Sequence, residues 1–379
     1  MNGWSETSEP VEIALVVGTR PEIIKMAPII RELEARADAV PYIAHTDQHY
    51  DDELSAEFFD TLELPHPDIH FEVGSGSQAE QTADGLLAVE SMLRDRKPDA
   101  VLAQGDTNAV LSTAVAAAKM PMRFGHVEAG IRSYDREMPE EVNRVLADSV
   151  ADLAFAPTET AADNLAKEGI TDQVYVTGNT VVDACRDHIT IAEENSEVLD
   201  SHGLSPREYA VATIHRARNT DDRFRLQEIL NTLDETSLPV LFPAHPRTVD
   251  RIEEMGFDLS GSLRVVGPLD YLDFLKALSN ARVTVTDSGG VQEEASILEV
   301  PCLTVRPNTE RPETVQAGVN RLVEPEELAD QLESLITDER EREEMQGATD
   351  LFGRGDAAED IVSILLSEKG TVSTCPRTT

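Results

Sequence analysis

Basic residues are scarce in this sequence. Its 379 residues carry 32 Lys and Arg against 72 Asp and Glu, a formal net charge of −40 at pH 7. Such a chain has little with which to neutralise phosphates, so nucleic acid is excluded as a partner. Anionic membrane surfaces are excluded on the same ground. Cysteine is nearly absent: Cys185, Cys302 and Cys375 lie far apart, make no metal spacing, and point to a reducing interior. Long apolar runs are missing, since no stretch approaches the roughly 20 residues that span a bilayer. The opening "MNGWSETSEP" lacks the basic-then-apolar run of a signal peptide. A soluble cytoplasmic protein is expected. Aromatics amount to only 4%. The acids are spread along the whole chain and Arg outnumbers Lys, a pattern that fits adaptation to high salt, where self-repulsion is screened.

What is present is a repeating α/β pattern. The apolar fraction of 40% permits full cores, and the length suits two domains at roughly 100–200 residues each. "IALVV" (13–17) reads as a buried strand, and "PEIIKMAPIIRELEA" (21–35) follows with apolar residues at helical spacing. "VPYIAH" (40–45), "AVLAQG" (100–105), "MRFGHV" (122–127), "LAFAP" (153–157) and "QVYVTG" (173–178) read as further strands with helical patterns between most of them. The pattern restarts with "YAVATIH" (209–215), "PVLFPAH" (239–245), "LRVVG" (263–267), "ARVTVTDSG" (281–289) and "PCLTVR" (301–306). "PEELADQLESLI" (325–336) and "AAEDIVSILLSE" (357–368) read as closing helices. Two Rossmann-like, doubly wound α/β domains are expected. The polar stretch 192–206 contains the expected boundary, and the first ten and last ten residues read as loose tails.

In open parallel sheets, ligands bind beyond the carboxyl ends of the strands. Many polar groups fall there: Arg20, Asp106, His126, Glu128, His215, Arg216, His245, Ser288, Gly289, Gly290 and Arg306. A protein built only to pack has no reason for this. "TDSGGVQEEA" (286–295) suits an anion site, with a capping Ser288 or Asp287 and two glycines that let a ligand approach the helix N-terminus. Arg20 and Lys25 flank another strand-to-helix turn. With His215, Arg216, Arg306 and Arg311 they form the cations expected to grip a diphosphate, which needs donors from several directions. The carboxylates are Asp106 in "QGDTN", Glu128 in "HVEAG" and Glu140 in "MPEEVNR"; plainer readings are a helix cap for Asp106 and a first-turn acid for Glu140. His45, His49, His66 and His70 read as loop or surface residues, and His126 as a residue that orients its loop. "GSGSQA" (74–79), with Asp95 beyond it, imitates a dinucleotide fingerprint, but it is not in a first βα turn and follows a weak strand.

"GTRPEIIKMAPI", "DQHYDDEL", "GDTNAVL", "GHVEAGIRS", "MPEEVNR", "PTET", "VTGNTVVDA", "TIHRARN", "DSGGVQEEA" and "TERPETVQAG" resemble the non-hydrolysing UDP-N-acetylglucosamine 2-epimerases from about residue 12 to about residue 367. The resemblance implies a GT-B fold with the active site in a central cleft. It divides the chain into an N-terminal domain, 11–180, joined by the last helix, about 353–368, and a UDP-binding domain, 181–352. It also implies the reaction UDP-GlcNAc ⇌ UDP-ManNAc without cofactor or metal, and a homodimer. Arg20, Lys25, Arg216, Ser288, Gly289, Gly290 and Arg311 would hold the nucleotide and its phosphates, Glu294 the ribose, and Phe274 would lie near the uracil. Asp106, Glu128 and Glu140 would be the catalytic carboxylates, with His215 essential beside them. Three positions depart from the family. "HRARN" places Arg218 where an acid is common, Leu269 stands where a uracil-pocket Gln is frequent, and Tyr50 where members with allosteric activation tend to have Arg.

The chemistry explains why such a set is needed. C2 of the sugar has no adjacent carbonyl, so its proton becomes acidic only as UDP leaves C1. A carboxylate then removes the proton to give 2-acetamidoglucal, and the proton returns to the opposite face as UDP re-adds. That requires acid and base on two faces and a cationic cradle for the diphosphate. Competing readings are a GT-B glycosyltransferase, a 2-epimerase of a diacetamido uronic acid nucleotide, a hydrolysing epimerase and a non-catalytic nucleotide-sugar sensor.

Overall fold

The computed structural model describes residues 10–46, 58–74, 76–347 and 350–367. The chain divides into two compact units: one holds residues up to Ala184 together with those from Gly353 onward, the other runs from Cys185 to Phe352.

Among the described residues the first unit contains a seven-stranded sheet: β1 (Val11–Val17), β2 (Ala39–His45), β3 (Ile69–His70), β4 (Ala100–Gln104), β5 (Arg123–Val127), β6 (Leu153–Ala156) and β7 (Val174–Val176). Its order is β3-β2-β1-β4-β5-β6-β7, and the paired strands are parallel. Ile13 to Val17 are fully buried, as expected of a strand covered by helices on both faces. On one face, Val89, Met92 and Leu93 of helix Gln78–Arg96 pack with Val110 and Ala114 of helix Asn108–Ala117. Burying each such aliphatic side chain stabilises the unit by about 1.5–3 kcal/mol. Helix Ala357–Ser367 returns to pack on helix Arg20–Ala35, where Arg36 donates to Ser363 and Asp183 accepts from the Ala358 amide.

The second unit has a six-stranded sheet among its described residues: β8 (Ala210–Thr213), β9 (Val240–Pro243), β10 (Leu263–Val266), β11 (Val283–Thr286), β12 (Cys302–Thr304) and β13 (Asn320–Leu322). Its order is β10-β9-β8-β11-β12-β13, again with parallel pairing. Leu226, Ile229, Leu230 and Leu233 of one helix and Leu328, Leu332 and Leu335 of another cover one face of this sheet.

In both sheets the chain winds outward from the first strand and then restarts beside it. The reversal lies between β1 and β4 in one unit and between β8 and β11 in the other. These are the two crevices where a doubly wound sheet binds ligands.

Several details differ from the sequence reading. β13 is an additional strand, and the weak strand before residue 74 is realised as the two-residue β3. His45 is not a loop residue: it ends β2 and is 5% exposed, edge-on to Phe59 and His70. His70 is exposed but stands on β3. Residues 76–77 of the glycine-rich imitation lead into an ordinary capping box, in which Ser77 and Glu80 bond reciprocally. The division between units falls inside helix Thr180–Asn195, upstream of 192–206. The polarity of 192–206 reflects the surface of that helix and of helix Val198–Ser201. His49, Tyr50, Cys375 and most of the expected tails lie outside the described residues.

Candidate active site

At the exit of β1, Gly18 and Thr19 turn into helix Arg20–Ala35. The N-terminus is held by the chain's own carboxylate: Glu22 accepts from the Gly18 amide at 2.8 Å and the Thr19 amide at 2.7 Å. It also accepts the Thr19 hydroxyl at 3.0 Å and, from the exit of β4, the Thr107 hydroxyl at 2.6 Å. Burial pushes the Glu22 carboxyl up to about 7, with these donors pulling the other way. The sequence reading had no role for Glu22. Arg20 is exposed, its guanidinium 5.6 Å from the Phe58 ring centroid. Lys25 is drawn instead to a carboxylate, donating to Glu128 at 2.8 Å.

Glu128 is where donors from three elements or their exits meet. Lys25 and Asn179, the latter at 3.1 Å, both donate to Oε1, and Gln104 donates to Oε2. Glu128 is 8% exposed and has a φ of 71°. A left-handed glutamate carries strain on the order of 1 kcal/mol, which the three donors hold in place.

Asp106, one strand over, is not a helix cap. The cap of helix Asn108–Ala117 is Thr107, and the Asp106 carboxylate takes Arg144 Nε at 3.0 Å and Nη2 at 2.5 Å on Oδ2. Asn143 fixes the Asp106 carbonyl at 2.9 Å. Glu140 is exposed on the first turn of helix Pro139–Val150. Its neighbour Glu141 is buried and accepts the Ser133 amide, the Tyr134 amide and Arg144. Burial opposes ionisation of Glu141, yet those donors prevail and lower its pKa.

Beneath both carboxylates lies His126, fully buried, with Nδ1 2.6 Å from Asp148 and Nε2 2.8 Å from the Gly105 carbonyl. Gly130, at the far end of "HVEAG", has a φ of 84°, and a Cβ there would sit 2.2 Å from the Ala161 carbonyl oxygen. Only glycine fits.

In the second unit the exits of β8 and β11 are tied by Asp287. Its buried carboxylate accepts the His215 amide at 3.1 Å, the Arg216 amide at 3.0 Å and Asn219 Nδ2 at 2.9 Å, and His215 Nδ1 lies 3.1 Å from it. That leaves the His215 side chain half exposed. Asp287 therefore braces the β8 turn and does not cap helix Gly289–Ile297. The Ser288 hydroxyl makes no capping bond either. This N-terminus, with Gly289 and Gly290 on its first turn, keeps its dipole available to an anion. Arg311 is anchored by its Nε on the fully buried Glu293, while Glu294 is partly exposed and acts electrostatically on the Tyr271 hydroxyl. Phe274 is partly buried against the core cluster that includes Val291 and Ala295.

Arg306 leaves the expected set of free cations. It is 6% exposed, and both terminal nitrogens bond Glu310 at 2.8 Å. Burial works against the Glu310 charge, but Arg306, with Arg216 adding to it, pulls the carboxyl down to about 2. Arg218 is exposed and lies 3.6 Å from Glu324, a surface pair worth about 0–1 kcal/mol.

The structure thus brings Lys25, Asp106 and Glu128 together in the first unit and His215, Arg216, Ser288, Gly289, Gly290, Glu294 and Arg311 together in the second. Sequence reasoning missed Glu22, Gln104, Glu141, Arg144, Asp148, Asn179 and Glu310, and it read Asp287 only as a possible helix cap. Among the described residues, no group of three or more His, Cys, Asp or Glu is placed to hold a metal ion.

Known proteins resemble the chain over nearly all of its length. A family model described as UDP-N-acetylglucosamine 2-epimerase matches residues 31–366. The UDP-N-acetylglucosamine 2-epimerase of Methanococcus maripaludis is 42% identical over 94% of this chain and 99% of its own. The crystal structure of Methanocaldococcus jannaschii UDP-GlcNAc 2-epimerase in complex with UDP-GlcNAc and UDP superposes with a TM-score of 0.83, at 42% identity over 94% of this chain and 100% of that one. The Neisseria meningitidis enzyme bound to UDP-GlcNAc gives 0.87 at 31% identity, over 94% of this chain and 100% of that one.

Proposed function

The chain belongs to the UDP-N-acetylglucosamine 2-epimerase family and interconverts UDP-GlcNAc and UDP-ManNAc, and we propose that it does so by eliminating UDP and adding it back. The fold is the GT-B pair of Rossmann-like sheets. The route, the roles of individual residues and the assembly are the proposal.

The observation that carries it is the pair of carboxylates at neighbouring strand exits. Asp106 follows β4 and Glu128 follows β5; Arg144 holds the first, and Lys25, Asn179 and Gln104 hold the second. As the C1–O bond breaks, positive charge at C1 acidifies the C2 hydrogen. One carboxylate takes that proton and leaves 2-acetamidoglucal and UDP. The partner carboxyl, protonated at the outset, gives its proton to the opposite face of C2, C1 regains the diphosphate oxygen, and the atoms balance without an oxidant or reductant. Charged groups fixed in advance lower such a barrier because they need not reorganise during the step. Glu140, on its exposed first turn, has the freedom to tune the pair.

UDP is assigned to the second unit. The open N-terminus of helix Gly289–Ile297 with Ser288, and Arg216 and Arg311 near it, suit the diphosphate; Glu294 suits the ribose and Phe274 the uracil. His215 is half exposed on a turn braced by Asp287, placed to assist departure of the diphosphate. Arg20 and Lys25 are assigned to phosphate binding, and Lys25 divides its charge between Glu128 and the substrate. The proposal extends to a cytoplasmic homodimer that works without a cofactor.

Hydrogen exchange tests the route. Incubated with UDP-GlcNAc in D2O, the enzyme should place deuterium at C2 of UDP-ManNAc and of the recovered UDP-GlcNAc. Epimerisation with protium retained at C2 would rule the route out. Free UDP and glycal should appear in small amounts when the reaction is quenched.

A further inference from the structure

We propose that His126 is a positioning residue that works as a buried imidazolium, locking the two strand exits that carry Asp106 and Glu128 to one another. Both ring nitrogens face groups that only accept. Nδ1 lies 2.6 Å from Asp148 Oδ1, and Nε2 lies 2.8 Å from the Gly105 carbonyl oxygen. A carbonyl has no proton to give. Asp148 has none either, because its other oxygen already takes the Gly130 amide at 3.1 Å and Arg132 Nη1 at 2.7 Å. Each ring nitrogen must therefore carry its own hydrogen. The side chains of His126, Asp148 and Arg132 are all 0% exposed, so water supplies no alternative partner.

Charges alternate outward from the ring. His126 meets Asp148 from helix Pro139–Val150, Asp148 meets Arg132, and Arg132 meets Glu168 at 2.7 Å. Glu128 also acts on the ring through its charge, and the neutral Phe124 ring stacks beside it at 6.1 Å. Burial alone would push the imidazole towards neutrality; Asp148, the Gly105 carbonyl and Glu128 outweigh it and raise its pKa.

The lock reaches both exits. Gly105 sits at a φ of 87°, its amide bound to the Val127 carbonyl at 3.1 Å and its carbonyl to His126. Asp106 is the next residue. On the other side, Asp148 holds the Gly130 amide two residues past Glu128. One cation and one anion thus fix the distance between the two carboxylates. A neutral imidazole supplies only one of the two hydrogens and releases either Gly105 or Asp148. The role rests on the reading that Asp106 and Glu128 carry the epimerisation.

The test uses the full chain with isotope-labelled imidazoles. Nitrogen NMR should show one histidine doubly protonated from about pH 6 to about pH 8, where ordinary histidines lose their charge. That signal should be missing in His126→Gln and should become neutral in Asp148→Asn. Because the folded pKa lies above the ordinary value of about 6.5, the contribution is complete below that pH and disappears as pH rises through the shifted value. Kinetically, His126→Gln and Asp148→Asn should each lower kcat by about 100-fold, the cost of a misplacement near 1 Å, while KM for UDP-GlcNAc stays within about threefold. A neutral ring at about pH 7 in an active enzyme overturns the proposal and leaves the function intact. A charged ring in a chain that epimerises nothing overturns both the functional reading and the positioning role. If His126→Gln does not fold, the wild-type spectrum and Asp148→Asn decide.

Discussion

Glu128 combines three features that seldom meet in one residue: near-complete burial, a left-handed backbone and a carboxylate with three donors on it. Each is costly alone. Together they describe a base whose position is specified from several directions. Glu128→Gln keeps the shape but turns an acceptor into a donor opposite Gln104 or Asn179, and it removes the partner of Lys25. Asp106→Asn does the same opposite Arg144. Both variants should bind UDP within a few-fold of wild type by calorimetry, because neither carboxylate is assigned a contact with the nucleotide. Their turnover should fall by about 10²–10⁴-fold, the usual worth of a positioned acid or base. Near-normal rates in both would remove the pair from the chemistry. Asn179→Ala is a milder probe. It removes one donor from Oε1, and losing one hydrogen bond to a charged group should cost about tenfold in kcat. The carboxylates were legible in the sequence because they stand at strand ends inside recognisable motifs. Their supports were not. Gln104 lies 24 residues before Glu128 and Asn179 lies 51 after it, and only the β4-β5 pairing and the turn beyond β7 bring them to one oxygen pair. Buried Asp148 was missed, and Asp287 was read only as a helix cap, because an isolated sequence offers no signal for which acids the fold will cover.

Among the elements, the strands were the more legible, since parallel strands buried on both faces read as continuous apolar runs. β3 read only weakly and β13 escaped because they contribute two and three residues at the outer edges of their sheets, too few to make a clear pattern. Helix starts were legible to within a residue, but their capping was not. An exogenous anion was the natural expectation at the start of helix Arg20–Ala35, yet Glu22 fills that role and also ties the helix to Thr107. This has a pH consequence. With a folded pKa of about 7 against an ordinary 4.5, Glu22 holds a proton that the unfolded chain releases. Stability from that proton is complete below about pH 4.5 and is lost as pH rises towards about 7. Glu22→Gln, permanently neutral, should match wild type in thermal unfolding near pH 4 and become progressively more stable than wild type by pH 7. A constant difference across that range would mean that burial does not govern Glu22 and that the four donors keep it ionised.

For the whole molecule the dominant quantity is charge. A formal −40 on 379 residues cannot be balanced by local pairing. Several of the ion pairs present, such as Arg94–Glu90 and Arg340–Glu344, are exposed i,i+4 contacts worth a few tenths of a kcal/mol each, about 0.3–0.5. The remaining acids repel one another in the folded state more than in the expanded unfolded chain, so removing salt should destabilise the fold. The Debye length falls from about 10 Å at 0.1 M salt to about 3 Å at 1 M. The repulsion between acids on each unit should therefore fade mostly within that interval. Unfolding temperature followed by circular dichroism in KCl should rise steeply up to about 1 M and flatten beyond. Chloride is the right anion for the series, because sulfate would raise the transition by exclusion from the surface whatever the charge. A parallel series in sucrose separates exclusion from screening: only a charge effect responds to KCl and not to an uncharged cosolute at the same osmolality. A flat or falling transition in KCl would mean that the acids are tolerated without being screened, and the high-salt reading of the composition would fail.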